Sequence, residues 1–379
     1  MPLKTITTLK EQAGQRFTEL ETPTFNYGNG FALNIAIDWK KVFAEMRKAE
    51  DAEIIVDAAA KDKVKICKLS ESGEDFMSKY TQRLVSASEN KLLALHYATT
   101  PDATVIIISK NTIIENPIVI NTKTKVTASA ETIIIIAEEG TSATIIEQAT
   151  STEEAYYHSQ ILQVYVHPRA NLTYCTVHDE KAVTHSFATK RAEVLHNASI
   201  HWFDVVIGEG FTQVQLRSHL REAGAEAQQY QVIVGSDIQQ CDINSDAFHE
   251  KSNTKSIMLA KGILSDKARA MHRGTIRVEK NARGCHGHQR SDMLLIGDEA
   301  RCNAIPILEV ENDDVSCSHG TSIGQIDEEQ LYYLLSRGLD EKEAKRLLVS
   351  GFVEPLLQKV SNEKTREKLR DIIQPKIEK

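Results

Sequence analysis

Aromatic side chains are scarce in this sequence: they make up 6% of its 379 residues, and Trp39 and Trp202 are the only tryptophans. A core built from such a chain has to be aliphatic. Long apolar runs are missing too. The opening Met1-Pro2-Leu3-Lys4 does not lead into a signal-peptide stretch, and no later segment approaches the ~20 residues that span a bilayer. The six cysteines (Cys67, Cys175, Cys241, Cys285, Cys302 and Cys317) are too few and too scattered for a disulfide framework. These absences predict a cytoplasmic chain in a reducing compartment, with no membrane partner. Positive charge is short as well. Lys+Arg number 45 against 53 Asp+Glu, a formal net charge of −8, whereas nucleic acids and anionic membranes need a basic field. What is present is a folding composition, 41% hydrophobic and 26% charged, which excludes disorder as the main state.

Motifs of strict geometry are also lacking. The glycine pair Gly208-Glu209-Gly210 has no following Lys-Ser/Thr, so no phosphate-binding loop exists and no nucleotide is expected on this chain. His-Glu-x-x-His and Cys-x-x-Cys do not occur. A zincin and an ATPase are both disfavoured.

The length implies two or three domains or one elongated unit. Residues 1–100 read as mostly helical. Asp38 is placed to cap a helix in which Trp39, Val42, Phe43 and Met46 recur at helical spacing, and Glu74 to Tyr97 repeats apolar residues in the same way. Ala52–Val56 and Val64–Cys67 look like short strands. Near Thr99-Thr100-Pro101 the composition changes. From Thr104 to Gln148, 13 Ile, 3 Val and 8 Thr make 24 of 45 residues β-branched, which is strand chemistry. Short apolar runs separated by polar breaks continue to Val310, and no helix-length segment interrupts them. That pattern predicts stacked coils, a parallel β-helix over 101–326, with nine or ten coils at roughly 20–25 residues each. Residues 327–379 turn helical: Asp327 caps one helix that Gly338 ends, Asp340 caps the next, and Asn362 starts a third. Both helical regions are expected to cover the open ends of the solenoid.

The sharpest chemical signal is Cys317-Ser318-His319. In a strand these i, i+2 residues project from one face, about 7 Å apart, as a thiolate and an imidazole suited to a soft metal. They cannot complete a four-ligand site, so other strands or a second chain must contribute. Cys285, His286 and His288 lie upstream, with the two histidines on one face and Cys285 on the other. Cys302 falls between the two groups. Cys67, Cys175 and Cys241 read as small core hydrophobes.

At this point a resemblance enters. Ala304-Ile305-Pro306-Ile307-Leu308-Glu309-Val310, Asp313 to Gly320, and Ile323-Gly324-Gln325-Ile326 through Arg337-Gly338 closely resemble the SufB/SufD family of iron–sulfur cluster assembly proteins. Lys261-Gly262-Ile263-Leu264 and Arg273 to Val278 extend the likeness, which is specific over about 256–357, looser over 91–255 and poor before. It implies a right-handed parallel β-helix with helical flanks, and a non-catalytic scaffold of the SUF system. In the implied complex a SufB-like paralogue and the SufC ABC-type ATPase are partners, with a homodimer as an alternative. A transient iron–sulfur cluster is expected at the subunit interface, and FAD stays an open possibility. SufB has an essential Cys where this chain has Ala300, and a Glu-His-Glu run where it has Ser318-His319-Gly320. Both departures favour the SufD side over the SufB side. The resemblance makes His319 the first candidate ligand, with Cys317 and Cys302 next. It assigns Leu331, Tyr332, Leu335, Arg337, Leu347, Leu348 and Phe352 to SufC docking. The competing readings are a β-helix carbohydrate-active enzyme using Asp204, Asp237, Asp242 and Asp246, and a structural partner with no metal role.

Overall fold

The computed structural model describes residues 2–27, 31–33, 35–100, 102–181 and 183–377. Pro101, at the boundary expected from composition, lies outside them. The N-terminal region holds α1 (Pro2–Glu19), α2 (Trp39–Glu45), β1 (Met46–Lys48), β2 (Glu53–Ile55), β3 (Val64–Lys68), α3 (Glu74–Tyr80) and α4 (Lys91–Thr99). Then come β4 (Thr104–Ile108), β5 (Ile118–Thr124), β6 (Ala128–Ala137), β7 (Ser142–Ser151), β8 (Tyr157–Val166), β9 (Asn171–Asp179), β10 (His185–Val194) and β11 (Ser199–Val206). The series continues with β12 (Phe211–Leu220), β13 (Glu226–Gly235), β14 (Gln240–His249), β15 (Lys255–Ser265), β16 (Arg269–Val278), β17 (Cys285–Ile296), β18 (Arg301–Val310) and β19 (Val315–Gln325). Three helices close the chain: α5 (Glu328–Ser336), α6 (Glu341–Leu357) and α7 (Glu363–Ile377).

From β4 onward, even-numbered strands pair in parallel in one sheet and odd-numbered strands in the other. Each coil contributes one strand to each wall, and there are eight coils, not nine or ten. The register advances 26 residues from His185 to Phe211 and 32 from Arg269 to Arg301. Coils are longer than expected because most strands run about ten residues, where the sequence pattern suggested shorter ones. Between the walls lies an aliphatic ladder that includes Ile106, Ile133, Leu162, Val194, Ile200 and Leu216.

In seven of the eight coils one corner turns on a residue in the left-handed region. Asn111, Gly140, Arg169, Asn197, Gly224, Asn253 and Gly284 stack in this series, with φ between 49° and 76°. Such conformations suit glycine and asparagine. At Gly224 a side chain would also meet Asn197 Oδ1 of the preceding coil at 2.0 Å.

The helical regions do not cover both ends as expected; they cover the flanks. Val42, Leu92 and Leu95 pack on Tyr157, Phe187 and Phe211 of the even sheet. On the odd sheet, Val349, Val353, Leu356, Leu369 and Ile373 cover Cys175, Val177, Phe203 and Val205. The reason is that these strands are apolar on both faces, so their outer face needs burial as much as the inner one. The N-terminal end is closed instead by β3, antiparallel on β4, and β2, antiparallel on β5. At the other end β18 and β19 are the last strands of their sheets, and each keeps one unpaired edge. The expected caps are in place: Asp38 accepts from Lys41 N–H, Asp327 from Glu329 and Gln330, and Asp340 from Glu343. Two local expectations change. The Glu74–Tyr97 stretch breaks into α3 and α4 around Gln82, whose φ is 51°. Met46 leaves the helix and pairs with Ala128 of β6. Among the described residues no helix is long and apolar enough to cross a membrane.

The lumen is not wholly apolar. Lys190, fully buried, reaches Asp204 Oδ1 at 2.5 Å and Thr176 Oγ1 at 2.7 Å. Two coils away, buried Glu147 accepts from Gln160 and from Tyr174 OH. Burial holds the Glu147 carboxyl above the ordinary glutamate range, while Lys190 opposes this. A carboxyl raised in the folded state supports folding below its unfolded pKa and loses that support as pH rises.

Two outcomes follow. Gly224→Ala should cost about 1–3 kcal/mol in denaturant unfolding, from left-handed strain and the Asn197 contact; an unchanged midpoint would reject the corner argument. Glu147→Gln should gain stability relative to the parent as pH is raised from about 4, the ordinary glutamate pKa, toward neutrality. Melting temperatures of both proteins across that range check this, and a pH-independent difference would count against it.

Candidate functional site

β19 brings Cys317 and His319 to the open end of the solenoid. In register with β17, Gly287 lies under Cys317 and buried Gln289 under His319, so both side chains stand on the lumen side of the wall. Cys317 is half-buried against Ile276, Val278 and Cys285, with Leu308 beside it. Burial raises its thiol pKa, and a backbone hydrogen bond from Gly287 offsets part of that rise. His319 is exposed and has no hydrogen-bond or ion-pair partner among the described residues. A free imidazole and a half-sheltered thiol thus share one face at the rim of the lumen.

Cys302 faces the lumen as well, but elsewhere. The two strands of a coil run in opposite directions on facing walls, and Leu308 packs on the same apolar cluster as Cys317. Cys302 precedes Leu308 by six residues, roughly 20 Å of strand. It packs on the aliphatic ladder, and burial pushes its thiol up to about 12. Cys285 is fully buried at a corner, with its sulfur 3.2 Å from Thr254 Oγ1 and 3.4 Å from the Lys251 carbonyl. His286 and His288 stand on the outer face of β17, where His288 Nδ1 lies 2.9 Å from Ser318 Oγ. The sheet therefore separates them from His319. Cys175 and Cys241 are buried core residues, and Cys67 is half-buried near Ser72. No group of three or more His, Cys, Asp or Glu able to hold a metal exists among the described residues.

The four aspartates of the carbohydrate-enzyme reading do not form one cluster. Asp204 is inside the lumen with Lys190, Asp237 is at a corner, and Asp242 and Asp246 pair with Arg273 and Arg217. On the C-terminal helices, Tyr332 is 74% exposed and Leu347 53%, with Tyr333 and Leu335 also exposed; α5 has no buried residue. Leu348 and Phe352 are only partly free. With Leu294, Ile326 and Leu347 they line an open groove of about 390 Å³, and Lys261 Nζ sits 4.2 Å from the Phe352 ring centre. Arg337 lies over Tyr333 at the end of α5, and Leu331 is half-buried.

Two features escape a reading of the sequence. The lumen charges were masked by their strands' continuous β pattern, although a lysine inside Ser186-Phe187-Ala188-Thr189-Lys190 was a visible anomaly. The free edges of β18 and β19 depend on which coil is last, and no local residue encodes that.

The family described as SUF system FeS cluster assembly, SufBD core domain, matches residues 118–352. An iron–sulfur cluster assembly SufBD family protein of Staphylococcus saprophyticus is 29% identical over 296 residues, covering 76% of this chain and 63% of that protein. A relative of the same description from Staphylococcus aureus is 29% identical over 299 residues, covering 77% and 64%. The chain thus spans just under two thirds of the length of these relatives. The match runs from β5, in the first coil, through the Cys317-Ser318-His319 rim to Phe352 of α6, more than half the chain, and the protein belongs to the SufBD family of iron–sulfur cluster assembly proteins.

Proposed function

We propose that this chain is a SufD-like, non-catalytic scaffold subunit that joins a SufB-like partner through the free edges of β18 and β19. His319 would offer one ligand to a cluster assembled across that joint. The observation that carries this reading is an unpartnered imidazole beside two unpaired parallel edges. Unpaired edges recruit strands, because each exposes a row of backbone donors and acceptors. Cys317 stands on the same face as a second donor. The remaining ligands would come from the partner, since no group of three or more potential ligands lies together among the described residues. Incomplete ligation suits a site that must pass its cargo on. Buried Ala300 at the position of the SufB thiol supports the SufD side.

The ATPase subunit is assigned to the exposed face of α5 and α6, chiefly Tyr332, Leu335 and Leu347. α6 and α7 lie directly on the odd sheet, so a force that moves them acts on the solenoid wall that ends in β19. ATP-driven closure of two such helical arms would twist the joined solenoids and open the joint. A chain without any metal role differs only at the rim.

His319→Ala should impair maturation of iron–sulfur enzymes in a strain that depends on this system, while His286→Ala/His288→Ala should not. Parent-like maturation in the His319 variant would refute the ligand assignment. Anaerobic co-purification with the partner subunits, followed by iron and sulfide analysis, separates a cluster-holding complex from a purely structural one. For ATPase docking, Tyr332→Ala/Leu347→Ala should lower capture of the ATPase subunit in a pull-down without changing the melting temperature. Removing everything after Ile326 is the poorer test, because it strips the cover from Val177, Phe203 and Val205. Undiminished capture by the double variant would place the contact elsewhere.

A further inference from the structure

The two histidines of β17 play no part in the proposed joint. His286 and His288 are both exposed on the outer face, with Gly287 between them buried on the lumen side. Two residues of a strand span about 7 Å. Their register partners on β19 are Ser316 and Ser318, which are short and exposed, so that side leaves room around the rings. The partners on β15 are Lys255 and Ile257. Lys255 Nζ is engaged by Glu226 Oε1 of β13 at 2.9 Å, on the side away from β17. Arg290, the next outward residue of β17, is held by both oxygens of Asp292 at 3.0 Å. Each neighbouring cation is thus tied to a carboxylate of its own.

His288 Nδ1 lies 2.9 Å from Ser318 Oγ. With Nδ1–H donating to that hydroxyl, the ring is oriented and Nε2 keeps its lone pair, which is how metal-binding imidazoles are commonly held. The His286 imidazole has no hydrogen-bond partner among the described residues, so nothing fixes it against turning toward its neighbour.

We propose that His286 and His288 chelate a borderline divalent cation of the Ni²⁺, Cu²⁺ and Zn²⁺ class on the outer face of the solenoid. One nitrogen of each ring binds, and water fills the remaining positions. Metal–nitrogen bonds of about 2 Å bring the two rings together above the Gly287 peptide, a span that side chains rooted two residues apart can close. Affinity at such a nitrogen donor set rises from Fe²⁺ through Co²⁺ and Ni²⁺ to Cu²⁺, so ferrous iron is the weakest occupant. The sheet stands between this ion and the lumen face that carries Cys317 and His319. The site therefore does not rest on the ligation proposed at the rim.

The test is calorimetric titration of the full-length chain with Ni²⁺ alone, in a Cys317→Ser/His319→Ala background so that the rim contributes nothing. This reference should bind one Ni²⁺ that an added His286→Ala/His288→Ala pair abolishes. Either single alanine should weaken binding at least about ten-fold, because the second bond of a chelate forms at high effective concentration. Cu²⁺ should bind the reference more tightly than Ni²⁺, and Co²⁺ less tightly. Ser318→Ala should weaken Ni²⁺ several-fold, whereas Ser318→Thr, which keeps the hydroxyl, should not. A reference that binds no more Ni²⁺ than the double alanine variant would overturn the proposal, as would single variants as tight as the reference. Equal affinity in Ser318→Ala would overturn the orienting role of that hydroxyl. The maturation assay on His319→Ala reads the rim and not this face, so either idea can fail alone.

Discussion

Everything in this molecule depends on parallel pairing of one coil on the next. Each strand from β6 to β17 has a neighbour on both sides, so its backbone donors and acceptors are satisfied by the coil below and the coil above. That rule fixes the fold and also its exception. A stack has to stop, and at the last coil half of the inter-coil hydrogen bonds have no protein partner. The rim residues are accessible because of this, not because a pocket was carved for them.

Burial follows the same geometry. With eight coils stacked, a side chain on the lumen face is surrounded by the coils above and below, so even a lysine can be lost from solvent entirely. Lys190 pays for that isolation with Asp204 and Thr176. A buried charge keeps its place only when its partners are fixed, so the polar middle of the lumen ties the register of β9, β10 and β11 together. The aliphatic ladder alone would tolerate a slip far more readily. Near the rim the lumen face carries Cys317 and His319, in register with Ile200 and Trp202 of the inner coils, where the coil above is missing and solvent takes its place.

The fold class was legible in the run of isoleucine, threonine and valine from Thr104, because β-branched side chains leave so few alternatives. Coil length was not. The expected coil length came from the repeats usual in such solenoids, and the polar breaks fall at both corners of a coil, so nothing in their spacing says how many strands make one turn. The pairing of Cys317 with His319 on one face followed from the two-residue period of a strand. So did the separation of Cys285 from His286 and His288. The distance of Cys302 from Cys317 did not, since it depends on which residue of one wall faces which residue of the other. The role of the helices was misjudged for a related reason: the second apolar face of a strand such as Phe203-Asp204-Val205 is visible in sequence, but what covers it is a tertiary fact.

The two ends of the solenoid differ, and that asymmetry sets a limit on assembly. The closed end offers only short antiparallel strands, one of which carries Lys65 and Lys68, and charged short edges discourage further pairing. The other end offers two long edges. A rod that is sticky at both ends polymerises, whereas a rod that is sticky at one end can be joined there once. The same coil stacking that would otherwise template a fibre is thereby limited: among the described residues, long unpaired edges stand at one end of the solenoid, at β18 and β19.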